Sequence, residues 1–144
     1  MWLVSSCSNS DVTEQHLLEL SPTFEVDYID NKGLDRKFTF QGIEHKIGIT
    51  VAPLIVGVSQ KVIWHFWDEE EALIGKPLKV IGTSMETGEN IVLLESKPLT
   101  VAPNLGATTS LPSGIKLTST GLWKLDIYLE EKYYETLIVE GTII

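Results

Sequence analysis

Leu122-Trp123-Lys124-Leu125-Asp126-Ile127-Tyr128-Leu129, followed by the turn Glu130-Glu131-Lys132 and by Tyr133-Tyr134-Glu135-Thr136-Leu137-Ile138-Val139-Glu140, is the stretch that decides the fold class. In its first half Trp123, Leu125, Ile127 and Leu129 fall on one side and Lys124, Asp126 and Tyr128 on the other. That period of two belongs to a strand with one buried face and is incompatible with a helix. In the second half Tyr133, Leu137 and Val139 alternate against Tyr134, Thr136 and Ile138. Both faces there carry apolar groups, so the strand is expected to be more enclosed than an edge strand.

The same grammar extends back through the chain. Short runs rich in Val, Ile, Thr and aromatics recur between Gly, Pro, Asn and Asp punctuation, and predict strands at Phe24 to Tyr28, Lys37 to Phe40, His45 to Thr50, Val62 to Trp67, Leu78 to Ser84 and Ile91 to Glu95. With the final pair, the expected fold is an all-β, immunoglobulin-like antiparallel β-sandwich of about seven to eight strands over residues 23–144. Asp30-Asn31-Lys32-Gly33 and Glu86-Thr87-Gly88-Glu89-Asn90 read as turns, where Gly or Asn can take positive φ and acidic side chains can cap backbone donors. The segment from Lys97 to Ser119 holds Pro98, Pro103 and Pro112 among Gly, Ser and Thr. Proline removes ladder donors, so this segment is expected to be loop or edge strand.

Composition agrees with one folded domain. The 144 residues are 43% hydrophobic and 22% charged, enough to bury roughly two-thirds of the unfolded surface. Eleven basic against twenty acidic residues leave a formal charge of -9. Such a field opposes phosphate backbones and polybasic attachment to membranes, so no nucleic-acid partner is expected. No run of about 18 apolar residues suggests a transmembrane helix.

The chain has one cysteine, Cys7. It allows no internal disulfide, zinc cage or CxxC pair. It follows Val4-Ser5-Ser6, an aliphatic residue and two small ones, and so resembles the lipobox at which bacterial lipoproteins receive a diacylglycerol. Residues 1–22 are therefore expected to be a signal remnant with its lipidation site at Cys7 and a polar tether, Ser8 to Gln15. Only six residues precede the cysteine, which is less than a charged n-region plus an h-region of about 7 to 15 residues. Two accounts stay open: a start internal to a longer reading frame, or an ordinary thiol.

Val62-Ile63-Trp64-His65-Phe66-Trp67, Gly75-Lys76-Pro77-Leu78-Lys79-Val80-Ile81-Gly82, Leu111-Pro112-Ser113 and Gly121 to Tyr128 together resemble a family of small lipoproteins of Bacillus-type Gram-positive bacteria. The resemblance spans about Phe38 to Val139 and implies an immunoglobulin-like sandwich and an envelope location, with no assigned activity. Independently of it, Trp64 or Trp123 can supply the bulk that other such sandwiches obtain around a disulfide.

On a strand, Trp64 and Phe66 share one face while His65 and Trp67 share the other. One aromatic pair is then core, and His65 with Trp67 is the candidate binding surface, able to stack on a sugar ring or anchor a partner. The competing expectation buries both faces and hydrogen-bonds His65 inside. Asp68-Glu69-Glu70-Glu71 lacks the alternation of a calcium loop and reads as a solvated acidic loop. His16, His45 and His65 match no zinc spacing, and Ser110-Leu111-Pro112-Ser113-Gly114 is not a nucleophile elbow. Gly42, Gly48 and Gly57 form no phosphate loop and read as bulge markers. No catalytic residue, metal site or cofactor is therefore assigned.

The function expected from the sequence is a lipid-anchored, extracytoplasmic, non-catalytic binding module. Its partner would be a protein or cell-wall component, with the membrane contacted only through the anchor. The first alternative is a proteinase-inhibitor-like sandwich acting through an exposed loop within Lys97 to Ser119. A cell-wall-directed enzyme with carboxylates meeting in a cleft is the less favoured alternative, and a cytoplasmic protein is the alternative if Cys7 is an ordinary thiol.

Overall fold

The computed structural model describes residues 19–50 and 52–143. Cys7, the tether and His16 lie outside the described residues. Ten strands run in the order β1 (Thr23–Ile29), β2 (Asp35–Ile43), β3 (Ile47–Thr50), β4 (Leu54–Ile55), β5 (Gln60–Phe66), then β6 (Pro77–Ser84), β7 (Asn90–Pro98), β8 (Thr109–Ile115), β9 (Gly121–Leu129) and β10 (Lys132–Thr142). A single helical turn, α1 (Glu70–Leu73), separates β5 from β6. The first sheet has the order β1-β2-β3-β5-β8 and the second β4-β10-β9-β6-β7.

The alternation that predicts β9 is realised residue by residue. Trp123, Leu125, Ile127 and Leu129 are buried, while Lys124, Asp126 and Tyr128 are half-buried on the other face. They meet Leu78 and Val80 from β6 and Leu137 and Val139 from β10 within their own sheet. Across the sheets the same core takes in Ile47, Ile49, Val62, Trp64 and Phe66. Trp64 and Trp123 are both fully enclosed, and each finds a partner for its indole N–H. Trp64 Nε1 donates to Ser113 Oγ at 2.9 Å, and Trp123 Nε1 donates to the Ser119 carbonyl at 2.9 Å. Burying an indole N–H without an acceptor would cost about 1–3 kcal/mol, so these bonds are a condition of using Trp as filling.

Several expectations need correction. The strand count is ten, not seven or eight, because two pairings escape a search for alternation. β4 is two residues long and pairs with β10 through Leu54–Gly141 and Ile55–Thr142, in parallel, so the pairing is not wholly antiparallel. β8 is an edge strand that tolerates Pro112 opposite Ile63. The expected β3 starts too early, since His45 sits in the preceding turn with φ 69°. In β10 the register shifts between Tyr133 and Glu135, so Tyr133 does not share the buried face of Leu137 and Val139 and is instead exposed. The acidic run is not all loop, since Glu70 and Glu71 open α1.

The shift in β10 has a use. Tyr134 packs its ring 6.1 Å from that of Phe66 and donates its hydroxyl to Asp68 Oδ2 at 3.0 Å. Lys46 Nζ lies 4.8 Å from the same ring, donates to the Tyr134 carbonyl and pairs with Glu135 at 2.9 Å. Burial, the Asp68 hydrogen bond and the nearby Asp68 and Glu135 charges hold the Tyr134 hydroxyl protonated well above the ordinary tyrosine range. This clasp ties the β2–β3 turn and the end of β5 to the second sheet. At the other end of the same β10 edge, Ser21 N–H donates to the Ile138 carbonyl and Ile138 N–H donates to Ser21 Oγ.

The Asp30 turn behaves as its composition predicts, and the Glu130–Glu131 turn does not. Asp30 Oδ1 accepts from the N–H groups of Lys32 and Leu34 while Gly33 takes φ 79°. Those bonds, that of Leu34 foremost, and the Arg36 guanidinium keep the Asp30 carboxyl below the usual carboxylate range. Glu130 and Glu131 both adopt positive φ, 51° and 66°, in the manner of a type I′ hairpin turn.

Candidate functional site

β5 carries aromatic groups on both faces, and the two faces have different fates. Trp64 and Phe66 enter the core between the sheets, with none of their surface exposed. His65 and Trp67 point to the opposite, outer face of the first sheet. Register places Phe40, paired with Phe24 in β1, on that same face. At this point β2 and β3 present Gly42 and Gly48 opposite each other, and Gly48 lies opposite His65 in β5.

The missing side chain at Gly48 makes room for the aromatic layer. A Cβ there would lie 2.9 Å from Phe24 Cζ, 3.0 Å from Phe40 Cβ and 3.3 Å from Trp67 Cζ3. Gly48 thus marks a close approach of rings to backbone, not the expected bulge. Above it Phe24 meets Trp67 edge-on at 5.6 Å, Phe40 meets Trp67 edge-on at 5.0 Å, and Phe38 tilts against Phe40 at 5.0 Å. These separations lie in the favourable range for aromatic pairs, each contributing about 0.5–1.5 kcal/mol beyond area burial. The result is a second, smaller apolar layer on the outside of the sheet.

His65 is part of that layer and not of the surface. Its residue is 1% exposed, its ring stacks on Trp67 at 5.8 Å and meets Phe40 at 4.6 Å. The candidate surface pair therefore separates: His65 is covered, and Trp67 is half-buried at the rim. His65 Nδ1 lies 3.4 Å from the Ile63 carbonyl, a long contact, while Nε2 is buried with no partner among the described residues. Burial pushes its pKa below the ordinary histidine range, because the charged ring would lose water and gain little in return.

Beside Trp67 the layer opens into a shallow groove of about 250 Å³. Phe24 and Val26 of β1, His45 and Glu44 of the β2–β3 turn, and Leu105 and Gly106 line it with Trp67. The far wall belongs to the proline-containing segment. Thr109 Oγ1 donates to the Thr100 carbonyl, Ser110 Oγ donates to the Ala102 carbonyl, and Leu99 and Ala107 are buried. Thr108 Oγ1 also donates to the Asp68 carbonyl at 2.6 Å, next to the Asp68–Tyr134 bond. The groove is an apolar slot with acidic groups at its mouth, suited to holding a side chain or a ring. The sequence pointed to Trp67; it did not point to Phe24, Leu105 or the turn at Glu44, which are far apart along the chain and meet only through the pairing of β1, β2, β3, β5 and β8 in one sheet.

Comparison with known proteins adds a family. A model described as "Domain of unknown function (DUF4871)" matches residues 9–139. The chain belongs to this family. The DUF4871 chain is also similar to a crystal structure described as a "Putative Lipoprotein from Bacillus anthracis", with 27% identity, a TM-score of 0.61, and coverage of 87% of this chain and 86% of that one. No curated protein matches. The lipoprotein resemblance carried by the Trp64 to Trp67 block thus has an independent counterpart in a solved structure, and that block supplies both the core pair and the groove of this DUF4871 domain.

Proposed function

We propose that this DUF4871 domain is a non-catalytic binding module, held by a lipid on Cys7 outside the cytoplasmic membrane, that receives its partner in the groove beside Trp67. The observation that carries the reading is Trp67 itself: a tryptophan standing half-buried on a prebuilt aromatic floor, at the rim of an open slot. Large rigid aromatics in such positions carry a disproportionate share of binding energy. The anchor is supported by Val4-Ser5-Ser6-Cys7 and by the description of the similar structure as a lipoprotein.

The body is read as an immunoglobulin-like sandwich with added strands. The order β7-β6-β9-β10 matches the C′-C-F-G sheet of such domains, with β5 and β8 as B and E. On this mapping Trp64 and Trp123 stand on the B and F strands, where antibody domains place their disulfide. β1 and β2 extend the first sheet outward and build the groove.

Two measurements test the reading. Mass spectrometry of the N-terminal peptide from the membrane fraction of source cells should find Cys7 at the terminus with a diacylglycerol mass; an unmodified, internal Cys7 refutes the anchor. Binding of the full chain to a purified envelope fraction should fall by about tenfold or more in Trp67→Ala while the cooperative melt persists. Undiminished binding by a folded Trp67→Ala protein refutes the groove.

A further inference from the structure

The first sheet ends on β1, and among the described residues β1 is the one full-length sheet border with no proline, lysine, register shift or covering backbone. The other three borders among the described residues are blunted: β8 contains Pro112, β7 has two register shifts and ends in Lys97-Pro98, and β4 is two residues long. β1 is seven residues, Thr23-Phe24-Glu25-Val26-Asp27-Tyr28-Ile29, with an unbroken register against β2 and neither proline nor lysine.

The phase of its hydrogen bonds can be assigned. Gly42 N–H donates to the Pro22 carbonyl at 2.9 Å, and Asp30 N–H donates to the Leu34 carbonyl at 3.0 Å. Facing residues in an antiparallel ladder alternate between bonded and non-bonded pairs. Phe24, Val26 and Tyr28 therefore bond to β2, while Thr23, Glu25, Asp27 and Ile29 turn their N–H and C=O groups away from the sheet. No backbone bond from another described segment meets those four residues. The groove beside Trp67 runs along this border, since Phe24, Glu25, Val26 and Asp27 all line it.

Charge selects the occupant. Glu25 and Asp27 are exposed and hold no ion pair within 4 Å among the described residues. Across β2 the bases are Lys37, opposite Asp27, and Arg36, which Asp30 holds at 2.9 Å. A second copy adding antiparallel to β1 with Val26 at the centre would set Glu25 against Asp27 twice. The neighbouring registers that keep the bonding phase set Glu25 against Glu25 or Asp27 against Asp27. Directly opposed like charges destabilise a ladder, so self-pairing is disfavoured and the complementary strand is basic.

We infer that β1 is a docking edge for an extended peptide segment of a partner protein, one that alternates basic and apolar residues and adds to the first sheet as a sixth strand. Its basic residues face Glu25 and Asp27. The residues between them lie on the aromatic side with Phe24 and Val26, next to the Trp67 groove. Main-chain bonds supply sequence-independent affinity and the alternate side chains supply selection. The inference rests on the binding-module reading and names the class of its partner.

The test uses the isotope-labelled full chain and a short, capped synthetic peptide alternating lysine and valine. On NMR titration the expected result is saturable binding, with slowed amide exchange at Thr23, Glu25, Asp27 and Ile29. Affinity should weaken about tenfold in Glu25→Gln, Asp27→Asn, two exposed, near-isosteric changes that set no like charge against Lys37 and leave folding intact. A peptide of the same sequence N-methylated at alternate amides should not bind. Equal binding of the methylated peptide would make the attraction purely electrostatic and overturn the inference, as would absence of any change on β1. Self-association through β1, seen as concentration-dependent shifts without peptide, overturns the choice of occupant. If the peptide fails while Trp67-dependent envelope binding persists, this inference falls and the groove reading stands; if Trp67→Ala changes nothing, the groove reading falls.

Discussion

Gly48→Ala probes the outer aromatic layer with a single methyl group. The new Cβ would meet Phe24 Cζ at 2.9 Å, Phe40 Cβ at 3.0 Å and Trp67 Cζ3 at 3.3 Å. Phe24 is half-buried, so its ring can swing outward. Phe40 Cβ is fixed to β2 and cannot retreat without moving the strand. Overpacking of this kind costs about 1–3 kcal/mol. Removing a glycine from the unfolded chain offsets about 0.4–1 kcal/mol, which leaves a net loss of about 1–2 kcal/mol. For a chain of this size the melting temperature should fall by roughly 3–8 °C. Thermal and urea melts measure the loss, with an unchanged urea slope showing that the native state stays compact. The double variant with Phe24→Leu should recover part of it, because the clash with Cζ is relieved while that with Phe40 remains. A Gly48→Ala protein that melts within about 1 °C of the wild type, with no recovery in the double variant, would refute the close-packed aromatic floor and the groove built on it.

Three other outcomes are expected. Trp123→Ala should lose roughly 3–5 kcal/mol in urea unfolding, since the indole is fully enclosed and its removal orphans the Ser119 carbonyl; a loss below about 1 kcal/mol would place Trp123 outside the core. Stability should decline as pH is lowered from neutrality through the ordinary histidine value of 6.5, because His65 has a depressed pKa in the folded state and the unfolded chain takes up the proton first. In His65→Leu that part of the slope should vanish, and Asp30, whose pKa is lowered from 3.8, should contribute only at more acid pH; an unchanged slope removes the argument from His65. Replacing the positive-φ pair by Glu130→Asn, Glu131→Gly should raise stability by about 1 kcal/mol, as both residues then suit a type I′ turn, and a drop in melting temperature would contradict that turn geometry.

Much of the architecture was legible in the chain because a strand with one buried face writes its period directly into the residues. β9 and β6 were readable almost to the residue, and with them Trp123 as filling, since their residues alternate without interruption, while Trp64 was legible by its bulk alone. β4 was not, and β8 was legible only as loop or edge strand within Lys97 to Ser119. Two residues of β4 carry no period, and β8, with Ser110, Pro112, Ser113 and Gly114, has its outer border unpaired and needs neither alternation nor every donor. The exposed position of Tyr133 escaped notice because the register shift that turns it outward answers to Phe66 and Asp68, in another part of the sequence.

The sequence by itself determined the all-β class, the tryptophan core and Trp67 as a residue to watch, because those depend on local pattern and on bulk. Only the tertiary structure decided that His65 is covered while Trp67 is not, and that β1 borders the same groove. Which face of a strand is covered depends on what crosses it, and here the rings on His65 are those of Phe40 and Trp67, fitted over Gly48 by the register of β2, β3 and β5. That is a long-range pairing, and no window of consecutive residues contains it.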